Sequence, residues 1–135
     1  MSLSFYFNVI YGQWTFTPPM PTGTYEDQTV IVTGANVGLG LEAARHFVNL
    51  GAAKVILGVR NLEKGELAKK DIENTTGKSG VVEVWQLDLS SYASVEAFAA
   101  KASELDRLDV LLENAGLATT SFKLAEDNES TITYI

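Results

Sequence analysis

The sequence TVIVTGANVGLG, at residues 29–40, restricts the fold more than any other part of this chain. Its first five residues are β-branched and are typical of a buried strand. The glycine-rich turn that follows leads into a segment of helical pattern, residues 38–50, which stops at Gly51. A strand, a glycine-rich turn and a helix in this order predict the start of a βαβ unit, and therefore an α/β fold.

Three further apolar runs predict three more strands, at residues 54–59, 81–87 and 109–112. They show no clean alternation of apolar and polar residues, which is the pattern of strands buried on both faces of a parallel sheet. Because helix-length segments separate them, we predict a Rossmann-type doubly wound parallel sheet, truncated after about four strands. Such a truncation would expose an apolar sheet edge and favour pairing of the chain with itself or with a full-length relative.

The helices between these strands have boundary signals of their own. Asn61 is a residue type preferred as an N-cap, and it precedes a predicted helix at residues 62–75 that Gly77 follows. Either Ser90 or Ser91 can cap the next helix. Its predicted apolar face consists of Val95, Phe98, Ala99 and Ala102, continued by Leu105.

A domain boundary is predicted near the N-terminus. All three prolines lie in TPPMPTG, residues 17–23, which can continue neither a helix nor a central strand. We therefore divide the chain into an N-terminal extension, residues 1–27, and a partial doubly wound domain, residues 28–135. The apolar segment at residues 3–11 is too short to span a bilayer and lacks the basic residues of a secretory signal. We expect no transmembrane segment and a cytoplasmic location.

Composition argues against several classes of function. The net charge is −7, which disfavours nucleic acid as a partner because phosphate binding depends on Lys and Arg. The chain has no cysteine, which excludes thiolate catalysis and cysteine-ligated metals. The single histidine, His46, has no His or Cys near it in the sequence, so we expect no metal site.

The glycines of the turn have separate predicted roles. Gly34 permits the tight turn, Gly38 lets the backbone approach a phosphate, and Gly40 allows the helix to pack closely on the strand. The N-terminus of the helix offers unpaired N–H groups and a partial positive charge to a pyrophosphate. The turn therefore predicts a dinucleotide site. The alternative is a glycine-rich turn that binds no ligand.

Three motifs in this chain resemble those of one enzyme family. The turn from Thr33 to Gly40 has the spacing T-G-x-x-x-G-x-G, Asp88 follows the third predicted strand, and Asn-Ala-Gly at residues 114–116 follows the fourth. Together they resemble the short-chain dehydrogenase/reductase family over roughly residues 28–132. The segments TGANVGLGLEAARHF and VWQLDLSS resemble fungal members similar to retinol dehydrogenases. The resemblance implies an NAD(P)-binding Rossmann domain of an oxidoreductase that acts on an alcohol or carbonyl.

The resemblance also implies roles for individual residues. It assigns the phosphates and the adenosine ribose to backbone at Asn36, Val37, Gly38 and Leu39. It implies that Asp88 accepts from the adenine amino group beside the Leu89 N–H. It implies that Asn114 ties the fourth strand to its neighbours and flanks the cofactor, while Ala115 and Gly116 line the ribose. Glu113 departs from the family, which usually has a second asparagine there.

The choice between NADP and NAD depends on the end of the second predicted strand. An acidic residue that holds the ribose 2′-OH is expected about 20 positions after the glycine turn. Val59 stands there, and Arg60 follows it. A charge-assisted contact from Arg60 to a 2′-phosphate contributes about 1.5–3 kcal/mol, which is roughly a ten- to hundredfold preference. We therefore predict that NADP(H) is preferred over NAD(H); the alternative is a solvated arginine with no ligand.

The catalytic residues of the family are not found in this sequence. The resemblance implies a tyrosine that donates the proton and a lysine four positions later that lowers its pKa. None of the five tyrosines has a lysine at that spacing; they are Tyr6, Tyr11, Tyr25, Tyr92 and Tyr134. We therefore assign no catalytic residue and expect little or no turnover. The alternatives are a non-catalytic dinucleotide-binding or interaction module, a degenerate fragment, and a domain for another nucleotide such as S-adenosylmethionine.

Overall fold

The computed structural model describes residues 11–12, 14–15, 19 and 21–117. The segment at residues 3–11, singled out for its aromatic residues, lies almost wholly outside these ranges. Strands and helices alternate in the described part of the chain. They are β1 (Thr29–Thr33), α1 (Gly38–Asn49), β2 (Lys54–Val59), α2 (Leu62–Thr76), β3 (Val82–Gln86), α3 (Tyr92–Ser103) and β4 (Val110–Leu112). The predicted bounds of β1 and β2 are confirmed residue for residue.

The four strands form one parallel sheet with the order β3-β2-β1-β4. The chain moves outward from β1 through β2 to β3, and then returns across the sheet to β4 on the other side of β1. This reversal makes the junction of β1 and β4 a topological switch point, where ligands of open α/β sheets bind. The predicted doubly wound α/β fold is confirmed.

One face of the sheet is covered by α1 and α2. Ala44 and Val48 of α1 and Ala68 and Ile72 of α2 are buried against alternate strand residues, which are Val30, Val32, Val55, Leu57, Val59 and Val82. The apolar stripes of both helices therefore face β1 and β2, which are buried almost throughout. Ile31 of β1 and Ile56 of β2 are buried on the opposite face, and burial on both faces accounts for the absence of alternation in these two strands.

Within the part of the chain that the structure describes, the opposite face is covered by α3 alone and is packed less deeply. Phe98, Ala102 and Leu105 contact a small core formed by Ile31, Ile56 and Trp85. No residue of α3 is fully buried, and Ala99, predicted to lie on its apolar face, is exposed. That part of the prediction was wrong, because the helix contacts the sheet through a narrow stripe and Ala99 lies about 100° around the axis from Phe98.

Local signals set the ends of α2 as predicted. The Asn61 side chain accepts a hydrogen bond from the Lys64 N–H at 2.9 Å, and Gly77 ends the helix in the left-handed conformation at φ +69°. Before β1, the ring of Tyr25 meets Phe47 of α1 edge-on at 4.9 Å. The predicted extension at residues 1–27 therefore includes at its end a residue that packs on the domain. No helix within the described ranges is long and apolar enough to cross a membrane.

Candidate nucleotide-binding site

A cavity of about 310 Å³ lies at the carboxyl ends of the parallel strands, beside the switch point. Segments that follow all four strands contribute to its wall. The lining residues are Gly34, Asn36, Gly58, Arg60, Asn61, Lys64, Leu87, Asp88, Leu89, Ser90, Ala115, Gly116 and Leu117. This volume is at the small end of the range for ligand pockets.

The turn after β1 depends on a glycine at its first position. Gly34 has φ +66°, and its N–H donates to the Gly58 carbonyl at 2.8 Å. A Cβ atom on Gly34 would lie 2.9 Å from the Cα of Ala115. A side chain here would therefore meet both backbone strain and a clash with the segment after β4.

The turn places the N-terminus of α1 at the carboxyl end of the strands, where the cavity lies. Val37 is the N-cap in extended conformation, and its side chain makes no capping hydrogen bond. The first turn also carries no acidic residue. Gly38 has φ +63°, and a Cβ atom there would point into open space. Because the first N–H groups of a helix have no intrahelical acceptor, this end can bind an anion.

The segment after β4 is tied to the end of β1 through Thr33. The Thr33 hydroxyl accepts from the N–H groups of Asn114 and Ala115, each at 3.0 Å. The side-chain amide of Asn114 donates to the Thr33 carbonyl at 3.0 Å. These bonds give Asn114 the tying role that the family resemblance implies, and they turn its amide towards the β1 turn.

Two basic residues gather where β2 passes into α2. Arg60 is exposed after the end of β2, Lys64 lies in the first turn of α2, and both line the cavity. The Arg60 carbonyl accepts from Nε2 of Gln86 at 3.0 Å, which joins this turn to the end of β3. Val59, in the position expected for a 2′-OH anchor, is buried. A chain of net charge −7 thus places two cations beside this cavity.

Asp88, two residues after the end of β3, also lines the cavity. Its Oδ1 accepts from the Ser90 hydroxyl at 2.7 Å and from the Ser90 N–H at 3.0 Å. Its own N–H donates to Oγ of Ser94 at 2.9 Å. The two hydrogen bonds from Ser90 lower the pKa of the Asp88 carboxyl, and the positive charge of Arg60 lowers it further against the opposing effect of burial. Asp88 is therefore an acceptor-only carboxylate at neutral pH.

Seven of the residues assigned from the sequence line the cavity, and five do not. Those that line it are Gly34, Asn36, Arg60, Asp88, Leu89, Ala115 and Gly116. Val37 and Leu39 are exposed at the start of α1, with 68% and 83% of their surfaces accessible. Gly38 lies between them, while Gly40 and Asn114 contact each other behind the turn. Across the described ranges, no group of three His, Cys, Asp or Glu side chains could hold a metal ion.

Some lining residues were not singled out in the sequence. Lys64 carries a weak signal, because it lies four positions after Arg60, in the first turn of the predicted helix. Ser90 was considered only as a helix cap, yet the cap is Ser91, and Ser90 bonds Asp88 instead. Gly58 has no signal beyond being a glycine in a strand, where a Cβ would lie 3.2 Å from Leu87 and 3.3 Å from Phe98.

With this geometry in place, comparison with known proteins is decisive for the family. The sequence matches the short chain dehydrogenase family over residues 28–134. The chain belongs to the short-chain dehydrogenase/reductase family. A relative from Cryptosporiopsis sp., the short chain dehydrogenase/reductase dmxR8, is 55% identical over 92% of this chain and 39% of its own length. The short chain dehydrogenase atnD of Emericella nidulans is 57% identical over 84% of this chain and 36% of its own length.

Solved structures of the family agree with the observed fold. Menthone neomenthol reductase from Mentha piperita is 32% identical, with a TM-score of 0.61 over 67% of this chain and 32% of its own. A protein of Escherichia coli CFT073 solved in complex with NADPH is 35% identical, with a TM-score of 0.62 over 74% of this chain and 41% of its own. The 135 residues therefore span well under half the length of these relatives.

Proposed function

We propose that this chain binds NADP(H), in preference to NAD(H), as the nucleotide-binding part of an oxidoreductase that acts on an alcohol or carbonyl. The observation that carries the proposal is the segment where β2 passes into α2, whose cavity-lining residues include the cations Arg60 and Lys64 and no carboxylate. A 2′-phosphate placed beside Arg60 and Lys64 would meet two positive charges, whereas the 2′-OH of NAD would lack its usual acidic partner.

The rest of the cavity fits the other parts of a dinucleotide. Asp88, with the Leu89 N–H beside it, presents an acceptor and a donor to an adenine ring. The uncapped N-terminus of α1 would bind the pyrophosphate, with backbone at Asn36 and Gly38 approaching it closely. Ala115 and Gly116 leave room for a ribose at the switch point, because neither carries a side chain larger than a methyl group.

The chain's own residues bind and orient the cofactor in this proposal. A nicotinamide dinucleotide, when bound, supplies or accepts a hydride. Arg60 and Lys64 determine which dinucleotide binds, Asp88 orients its adenine, and the hydrogen bonds between Thr33 and Asn114 hold the two sides of the switch point together. The Escherichia coli relative solved with NADPH supports NADP(H) as the ligand.

The test is a fluorescence titration of the purified chain with NADPH, with NADH as the comparison. We expect saturable binding and a ten- to hundredfold preference for NADPH. Arg60→Ala and Lys64→Ala should each weaken NADPH binding and leave NADH binding nearly unchanged. Lys70→Ala removes the same charge from an exposed position of α2 outside the cavity, and serves as the matched control.

The titration separates the parts of the proposal. Equal affinities for the two dinucleotides would disprove the role of Arg60 and Lys64 while leaving dinucleotide binding intact. An absence of binding by protein that unfolds cooperatively would contradict the proposed function as a whole.

For the 135 residues by themselves we propose binding without turnover. The sequence contains no tyrosine with a lysine four positions later. It therefore lacks the pair of residues that act as the proton donor in the family. Incubation with NADPH and simple aldehydes or ketones should therefore give no oxidation of NADPH above the rate without protein. Stoichiometric binding together with measurable turnover would contradict this second proposal and leave the first intact.

A further inference from the structure

The two oxygens of the Asp88 carboxylate have different surroundings. Oδ1 accepts both hydrogen bonds from Ser90, at 2.7 Å from the hydroxyl and 3.0 Å from the N–H. Among the described residues, the structure gives Oδ2 no hydrogen-bond partner. The backbone of Asp88 is also held, since its N–H donates to Ser94 at the start of α3. One oxygen of a cavity-lining carboxylate is thus engaged, and the other remains to accept a ligand donor.

We propose that Ser90 is a positioning residue for adenine recognition: by holding Oδ1 of Asp88 it presents Oδ2 to the exocyclic amino group of the adenine. This inference rests on the proposed binding of NADP(H). Ser90 does so from an exposed position on the cavity wall, so its hydroxyl is not required to fill the core. Its hydrogen bond is made to a side chain of the cavity wall and not to the core.

Holding one carboxylate oxygen in advance favours binding of a ligand donor by the other oxygen. An aspartate side chain that is not held rotates about two bonds, and a ligand that uses it has to restrict that rotation on binding. Ser90 restricts it beforehand. The hydrogen bonds from Ser90, and after them the charge of Arg60, lower the pKa of the Asp88 carboxyl, so the carboxylate accepts rather than donates. An amino group is then recognised, and a carbonyl oxygen at the same position of the base is repelled.

The experiment compares NADPH with its hypoxanthine analogue, in which a carbonyl oxygen replaces the adenine amino group. Both fluoresce through the reduced nicotinamide, so one titration protocol serves for both. We expect the unmodified chain to bind NADPH about tenfold or more tightly than the analogue. Ser90→Ala should reduce that ratio by about three- to tenfold by weakening NADPH alone, because the Ser90 N–H still holds Oδ1.

Matched variants separate positioning from general damage. Ser90→Thr keeps the hydroxyl and should keep the affinity ratio between NADPH and the analogue. Ser90→Val has the shape of threonine without the hydroxyl and should reduce that ratio. This pair also serves if Ser90→Ala fails to fold. Ser91→Ala is the control, because the neighbouring Ser91 makes no side-chain hydrogen bond to the helix N-terminus. A merely structural role would weaken NADPH and the analogue equally.

The outcomes are distinguishable from those of the proposed function. An unchanged ratio in both Ser90→Ala and Ser90→Val would overturn the role of Ser90. Equal binding of NADPH and the analogue by the unmodified chain would show that Asp88 does not read the amino group, and would overturn the inference while NADPH binding stands. If the unmodified chain binds neither dinucleotide, the proposed function fails and this inference fails with it.

Discussion

A Cβ atom on Gly40 would lie 2.5 Å from Nδ2 of Asn114, although the two residues are 74 positions apart in the sequence. The Asn114 amide occupies that space because it donates to the Thr33 carbonyl at 3.0 Å. The glycine of α1 is therefore paired with the asparagine after β4. Helix α1, the β1 turn and the end of β4 meet at this point, directly behind the cavity.

Gly40→Ala should destabilise the chain by roughly 1–3 kcal/mol, because the new methyl group would meet Asn114, the Gly34 carbonyl and Ala35 together. Denaturant unfolding measures this change. A double-mutant cycle with Asn114→Ala is the control, since it removes one of the three contacts and should recover part of the loss. If the changes in unfolding free energy of the two substitutions were strictly additive, the proposed crowding between Gly40→Ala and Asn114 would be contradicted.

Thr33→Val should also lower the free energy of unfolding, by about 1–3 kcal/mol. Valine keeps the shape of the buried side chain but removes the hydroxyl that accepts from the N–H groups of Asn114 and Ala115. Thr33→Ser keeps the hydroxyl and should lower the free energy of unfolding by less than Thr33→Val does. Unfolding monitored by tryptophan fluorescence compares the two, and equal losses would show that the hydroxyl makes no net contribution.

Gly65→Ala tests the packing of α2 on the sheet. A Cβ atom at Gly65 would collide with Cγ1 of Val84, which belongs to a stiff β-branched side chain, and would lie 2.7 Å from Cγ2 of Val59. Alanine is the better helix former by about 1 kcal/mol, yet we expect net destabilisation of about 1–2 kcal/mol. Calorimetry should show a lower Tm, with exposed Glu66→Ala on the same helix as the control. A raised Tm would show that the helix can move away without loss.

Protonation of Asp88 should reduce stability in acid. Ser90 above all, and then Arg60, lower the folded-state pKa below the ordinary value of 3.8, so the carboxylate is the form that folding favours. That contribution is fully present above the unfolded-state pKa and is lost as pH falls through the folded-state pKa. The difference in unfolding free energy between the unmodified chain and Asp88→Asn should be constant above about pH 5 and shrink below about pH 4. A difference independent of pH would contradict the assignment.

Much of the fold follows from the sequence alone. The β-branched and apolar runs of β1 and β2 predicted their bounds to the residue, because each strand is buried on both faces of the sheet. Asn61 and Gly77 marked the ends of α2 through local hydrogen bonding and a left-handed backbone, which depend on few neighbours. The glycine spacing, Asp88 and Asn-Ala-Gly indicated the family, since each motif follows a strand.

The tertiary structure decided which of these residues lie together in the wall of the cavity. Lys64 joins Arg60, and Ser90 fixes Asp88, only because the carboxyl ends of parallel strands converge at one edge of the sheet. Ala99 is exposed because α3 contacts the sheet through a narrow stripe, which its own sequence does not specify. Gly40 faces Asn114 only once β4 lies beside β1. Local sequence determines strands, turns and caps through short-range interactions, whereas contacts between distant segments depend on how the whole sheet is ordered.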